Sequence, residues 1–142
     1  MREAVIVSTA RTPIGKAYRG AYNDTSAQEL AGHAIEKAVE RAGIDTGEVG
    51  DVIMGAALQQ GSSGGNIARQ AAIRAGLPVT VPGMSIDRQC ASGMMAIATA
   101  AKQVISDGMD VVIGGGIESI STVQTPDTVS YTHLTLPTIC SV

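Results

Sequence analysis

The sequence predicts an α/β fold with a mostly parallel sheet and a buried central helix. Short apolar runs rich in β-branched residues alternate with segments whose apolar residues recur every three or four positions. This alternation is typical of strand–helix–strand units. The composition agrees, because 44% of the residues are hydrophobic, only 2% are aromatic and 17 are glycine. Small side chains allow helices to pack closely on a sheet, and 142 residues suit one domain or one lobe of a larger one.

Seven elements are predicted in chain order. The strands are residues 4–8, 51–56, 83–87 and 110–114, and the helices are residues 27–42, 67–75 and 91–105. The stronger strand segments are continuously apolar, which is typical of parallel strands buried on both faces. They therefore predict one layered sheet with helical crossovers.

Capping residues fix the helix boundaries. Ser26 followed by Glu29 is a capping-box pattern, and Gly43 is a C-terminal stop signal for the first helix. Asn66 is an N-cap candidate for the second helix. The third helix is apolar nearly all round, so we expect it to be buried on every side.

The last fifteen residues differ from the rest, and the predicted lobe is therefore residues 1–127. Residues 128–142 contain no glycine, no alanine and no Asp, Glu, Lys or Arg, and they lack a helical period. We interpret them as a tail foreign to the fold, such as read-through sequence. The alternative is an ordinary surface extension.

Charge and composition exclude several functions. A net charge of −3 with 2% aromatic residues argues against a nucleic-acid surface. No apolar segment is long enough for a membrane span or a signal peptide. Two cysteines do not make a disulfide framework, and no His, Cys, Asp and Glu spacing indicates a metal site. The sequence predicts a soluble, cytoplasmic protein that binds neither nucleic acid, membrane nor metal.

Cys90 is the candidate catalytic residue. It follows a predicted strand and lies at the predicted first turn of the third helix. Unpaired N–H groups and the helix dipole at such a place stabilise a thiolate, and the same groups can donate to an oxyanion. The alternative is a small buried cysteine that fills a gap in the core.

The segment around Cys90 resembles the nucleophile motif of the thiolases, the acetyl-CoA acyltransferase family. Four further segments resemble thiolase motifs in family order and spacing, so the resemblance covers roughly residues 1–126. The five matching segments are residues 11–16, 51–55, 66–72, 89–97 and 114–119.

The resemblance implies a five-layered αβαβα architecture of two similar halves, of which this chain supplies the N-terminal one. It implies that Cys90 carries an acyl group between CoA thioesters, in 3-ketoacyl-CoA thiolysis or acetyl-CoA condensation, with its own N–H as an oxyanion donor. Coenzyme A is then a co-substrate with no bound cofactor, and the full-length enzyme is a dimer or tetramer.

Several residues depart from the family pattern. Asp87 stands where many members have Asn, which leaves the local hydrogen bonding open. In the family, whose members are far longer, the activating His and the second Cys come later, and neither motif occurs in this sequence. Cys140 and His133 lack those motif contexts, and His33 is expected on a helix face.

Two alternatives to a thiolase remain. One is a condensing synthase of the same superfamily that acts on CoA or carrier-protein thioesters. The other is a non-catalytic truncated fragment that acts only by folding or association. We expect this chain alone to be inactive.

Overall fold

The computed structural model describes residues 2–124, which form a parallel sheet with helices on both faces. The strands are β1 (Asp51–Gly55), β2 (Gly83–Ile86) and β3 (Val112–Gly116), in the order β2-β1-β3. The helices are α1 (Ala27–Ala42), α2 (Ile67–Arg74), α3 (Ser92–Ser106) and the short α4 (Ile120–Val123). The α/β class and the parallel sheet are confirmed. Residues 128–142 lie outside the described part, so the predicted tail stays a prediction.

Helix α1 has the predicted boundaries because its two caps form. The Ser26 side chain accepts a hydrogen bond from the Glu29 amide at 3.3 Å. Gly43 has a φ of 67°, the left-handed conformation that ends a helix. The apolar stripe of α1, with Ile35 and Val39, is buried.

Strand β1 is the centre of the sheet, and all five of its residues are buried. Alternate side chains project to opposite faces of a strand. Val52 and Met54 accordingly pack in a cluster with residues of α1 and α2. Ile53 packs instead against Ala96 and Ala100 of α3. The result is three layers, with α1 and α2 on one side of the sheet and α3 on the other.

The predicted strand at residues 4–8 is wrong for the described part of the chain. Residues 2–10 form no strand, and Val5, Ile6 and Val7 are 75%, 78% and 74% exposed. A strand needs a neighbour to satisfy its backbone N–H and C=O groups. Within residues 2–124 no strand pairs with this segment, although Arg2 donates to the Gly108 carbonyl at 2.9 Å.

The predicted strand at 110–114 is shifted by two residues relative to β3. The strand continues through glycine, because Gly114, Gly115 and Gly116 pair with Ile53, Met54 and Gly55 of β1. The other predicted strands and helices match the observed bounds to within one residue at each end. Such differences are within the normal fraying of element ends.

Helix α3 is buried along one face and not on every side as predicted. Ser92, Ala96 and Ala100 are buried, whereas Met94 is 77% and Ile97 49% exposed. The sheet packs against one face of α3, and no helix or strand among residues 2–124 covers Met94. Hydrophobicity all round a helix therefore did not translate into burial all round.

Glycines allow α3 to approach the ends of β1 and β3. A Cβ on Gly55 would stand 2.1 Å from the carbonyl carbon of Ser92, and a Cβ on Gly116 would stand 3.1 Å from the Cα of Gly93. Both contacts involve backbone atoms, which cannot rotate away. The absence of side chains at these positions sets the height of α3 above the sheet.

We expect Gly55→Ala to lower the free energy of unfolding by about 2–4 kcal/mol, because the new methyl group forces α3 away from β1. Gly50→Ala is the matched control, since a Cβ there would lie 3.4 Å from its nearest neighbour, the Val111 carbonyl oxygen. Urea unfolding followed by far-UV circular dichroism measures both. Equal stability of the two variants would contradict the close-approach argument.

Candidate active site

Cys90 lies in the loop that connects β2 to α3. The sequence placed it at the first turn of a helix over residues 91–105. Helix α3 begins one residue later, at Ser92 with Ala91 as its N-cap, so Cys90 comes just before the helix. Gln89 has a φ of 50°, so the chain there is in the left-handed region and the helix starts later. Cys90 is exposed. Among residues 2–124 it therefore fills no gap in the core.

Side-chain hydrogen bonds close this loop. The Asp87 carboxylate accepts from the Gln89 amide at 2.8 Å. The Ser92 hydroxyl accepts from the Arg88 amide at 2.8 Å and donates to the Gln89 carbonyl at 2.6 Å. An Asn at position 87 could accept the same bond as the carboxylate does. The departure at Asp87 thus preserves the local hydrogen bonding that the resemblance left open.

The backbone at Gln89 is energetically unfavourable. A left-handed conformation costs a residue with a Cβ roughly 1–2 kcal/mol, and Gln89 has a φ of 50°. Its amide donates to the Asp87 carboxylate, and its carbonyl accepts from both the hydroxyl and the amide of Ser92. Because each bond contributes about 1 kcal/mol net, these bonds together offset the conformational cost.

The first turn of α3 follows the cysteine directly. Ala91, the N-cap, makes no side-chain capping bond. Backbone N–H groups at the start of a helix carry partial positive charge. This end of α3 can stabilise a thiolate or an oxyanion formed near Cys90.

Glu118 belongs to the same end of the sheet, and the sequence assigned it no role beyond its place in the matching segment 114–119. It follows β3, and its carboxylate accepts from the amides of Ala57 at 2.8 Å and Leu58 at 3.3 Å. Residues after β1, β2 and β3 leave the carboxyl edge of one parallel sheet, where α/β proteins build their sites. Glu118 ties the segment after β1 to the segment after β3. Its place two residues after the Gly114–Gly116 run is the sequence signal that could have indicated this role.

A cleft of about 460 Å³ lies beside this edge. Its walls include the segment 10–17, part of α1 and the residues just after β3, with Arg11, Lys16 and Glu118 among them. Cys90 is not one of its lining residues. The described residues leave the cysteine open to solvent instead of enclosing it.

The remaining candidate residues are not brought to Cys90. His33 is exposed on α1, which packs on the opposite side of the sheet from α3. Cys140 and His133 lie outside the described residues. Among residues 2–124 no three His, Cys, Asp or Glu side chains could hold a metal ion together. None of the helices in that part is long and apolar enough to cross a membrane.

Residues 4–138 match the family model described as thiolase, N-terminal domain. The chain is 40% identical to the 3-ketoacyl-CoA thiolase of Bacillus subtilis over 136 residues, which are 96% of this chain and 35% of that relative. It is 46% identical to the acetyl-CoA acetyltransferase of Cupriavidus necator over 121 residues, 85% of this chain and 30% of the relative.

A solved structure agrees with these relatives. The crystal structure of the Bacillus anthracis acetyl-CoA acetyltransferase superposes with a TM-score of 0.80 at 42% identity, covering 86% of this chain and 30% of that one. The chain therefore spans about a third of the length of the proteins that it matches.

We expect Asp87→Ala to lower the free energy of unfolding by about 1 kcal/mol, because the Gln89 amide loses its acceptor. Asp87→Asn keeps an oxygen at the same place and should stay within about 0.5 kcal/mol of the parent. Urea unfolding of the three proteins measures the difference. A loss in Asp87→Asn as large as in Asp87→Ala would show that the charge, and not the hydrogen bond, matters.

Proposed function

Because the chain belongs to the thiolase family through its N-terminal domain, we propose that it supplies the nucleophile of a CoA-thioester acyltransferase. Cys90 is that nucleophile. The observation that carries the proposal is an exposed thiol on a hydrogen-bonded loop at the carboxyl edge of the sheet, directly before the start of α3.

The proposed reaction is thiolysis of a 3-ketoacyl-CoA. The Cys90 thiolate attacks the keto carbon, and the bond between that carbon and the α-carbon breaks. The α-carbon takes a proton and leaves in acetyl-CoA, while the shortened acyl group stays on sulfur as a thioester. Free CoA then takes the acyl group and returns Cys90 to its thiol or thiolate form.

The reverse direction uses the same residue. Acetyl-CoA acetylates Cys90 and releases free CoA. A second acetyl-CoA loses a proton from its α-carbon, and the resulting carbanion attacks the acetyl carbon to form the new carbon–carbon bond, while the bond from that carbon to the Cys90 sulfur breaks and frees the thiolate. The names of two relatives, a 3-ketoacyl-CoA thiolase and an acetyl-CoA acetyltransferase, correspond to these two directions. Acyl-CoA and CoA are the proposed substrates in both.

Residues 2–124 hold Cys90 but bring no histidine to it. Each direction needs a group that takes a proton from a thiol and a group that handles the α-carbon proton. His33, the only histidine among these residues, lies on the opposite side of the sheet from α3. We therefore propose that the nucleophile works only with groups that the described residues do not supply.

Replacing Cys90 in a complete enzyme tests the nucleophile. A chimera in which residues 1–124 of this chain replace the matching segment of the Bacillus subtilis relative is expected to cleave acetoacetyl-CoA. Cys90→Ser in that chimera should lower kcat by on the order of 10³-fold or more, with an unchanged Tm, because the acyl carrier is lost. A serine variant that keeps activity within about tenfold would refute the role of Cys90.

The 142-residue chain alone should show no thiolysis turnover, because an isolated nucleophile lacks the proton-transfer groups that both steps need. The measurement is CoA-dependent loss of acetoacetyl-CoA with the purified chain, and the parent chimera is the positive control. Turnover that Cys90→Ser abolishes in the isolated chain would show that it is catalytically sufficient and would contradict this prediction.

A further inference from the structure

Ser92 is a buried polar residue beside the candidate nucleophile. It is 3% exposed, and its hydroxyl accepts from the Arg88 amide at 2.8 Å and donates to the Gln89 carbonyl at 2.6 Å. Both partners precede Cys90 in the chain, while Ser92 follows it. The hydroxyl therefore bridges across the cysteine and closes the loop from within.

These bonds serve the loop and not the helix. A serine at a helix start commonly caps the N–H groups of the first turn. In α3 the N-cap is Ala91, which makes no capping bond, and the Ser92 side chain bonds back to residues 88 and 89. The helix gains no capping bond from Ser92, so stabilising α3 is not what this hydroxyl does.

The conformation of Gln89 sets the direction of the Cys90 side chain, because the two residues share a peptide bond. Gln89 has a φ of 50°, which L residues with a Cβ adopt reluctantly. The carbonyl of Gln89 accepts from the Ser92 hydroxyl at 2.6 Å and from the Ser92 amide at 3.0 Å. Removing the hydroxyl takes away the shorter of these two bonds and also the acceptor of the Arg88 amide. The peptide would then be freer to return to an ordinary conformation, and the Cys90 side chain would turn with it.

We propose that Ser92 is a positioning residue for Cys90. Its hydroxyl keeps Gln89 in the left-handed conformation and thereby keeps the cysteine sulfur exposed and directed beside the first turn of α3. Ser92 itself touches neither the sulfur nor a substrate in this role. The inference rests on the proposed role of Cys90 as the nucleophile.

The test uses the 142-residue chain with Cys140→Ser. Because the sequence has two cysteines, this change leaves Cys90 as the single thiol. Iodoacetamide alkylation of Cys90 at neutral pH is measured in the folded protein and in urea, and the Tm is recorded for each variant. Ser92→Ala should alkylate about tenfold more slowly than the parent, because the thiol loses its fixed place at the helix start. In spectra of labelled protein, the strong intraresidue amide–Hα NOE of a left-handed residue should weaken at Gln89.

Two variants separate positioning from folding. Thr99→Ala is the matched control, because it removes another hydroxyl of α3 that donates to a helix carbonyl, that of Met95, at 2.8 Å. It should alkylate within about twofold of the parent. Gln89→Gly added to Ser92→Ala should recover most of the lost rate, because glycine adopts the left-handed conformation without the hydroxyl.

The outcomes distinguish the two proposals. If the folded parent alkylates no faster than the same thiol in urea, the proposed role of Cys90 fails. If the parent is faster but folded Ser92→Ala keeps its rate within about twofold, the nucleophile stands and the role of Ser92 is overturned. If Ser92→Ala does not fold, the double variant decides: a folded protein with the parental rate supports the proposal, and a slow or unfolded one overturns it.

Discussion

The backbone-to-backbone approach between α3 and the ends of β1 and β3 is the constraint on which the candidate site depends. Gly55 and Gly116 are paired neighbours in the sheet, and each faces the start of α3 without a side chain between them. The start of α3 therefore rests directly on the sheet edge. Since Ser92 is the first residue of α3 and Cys90 lies only two positions before it, a displacement of the helix would move the thiol as well.

The loop itself is held in a different way. Cys90 is exposed, so packing contributes little to its placement, and hydrogen bonds at both ends of Gln89 take over that role. Such an arrangement keeps a reactive group accessible while limiting its motion, which packing alone would achieve only by burying it. The exposed side chain and the buried hydroxyl of Ser92 are complementary parts of one loop.

Local signals predicted those elements whose stability is local. Ser26, Glu29 and Gly43 bracket α1 in the sequence, and the same residues form its caps in the structure. Residues 4–8 carry an equally clear apolar pattern, but strand formation depends on a partner elsewhere, and no described strand pairs with them. The exposed Met94 of α3 is a related case, because hydrophobicity reports a preference for burial and not the presence of a covering layer.

The candidate site also has one part that local sequence predicts and another that depends on contacts in three dimensions. Residue types alone indicated that Cys90 could be a nucleophile, because a thiol at a strand-to-helix junction has a known chemistry. Its displacement from the helix was not predictable, since the positive φ falls on Gln89, and glutamine is not a residue that signals that conformation. Likewise, a serine near a helix start predicts a helix cap, whereas the Ser92 hydroxyl is hydrogen-bonded to the Arg88 amide and the Gln89 carbonyl of the preceding loop. Gly55 and Gly116 determine the position of the loop relative to the sheet. The hydrogen bonds of Asp87 and Ser92, which only the three-dimensional structure shows, determine the orientation of Cys90.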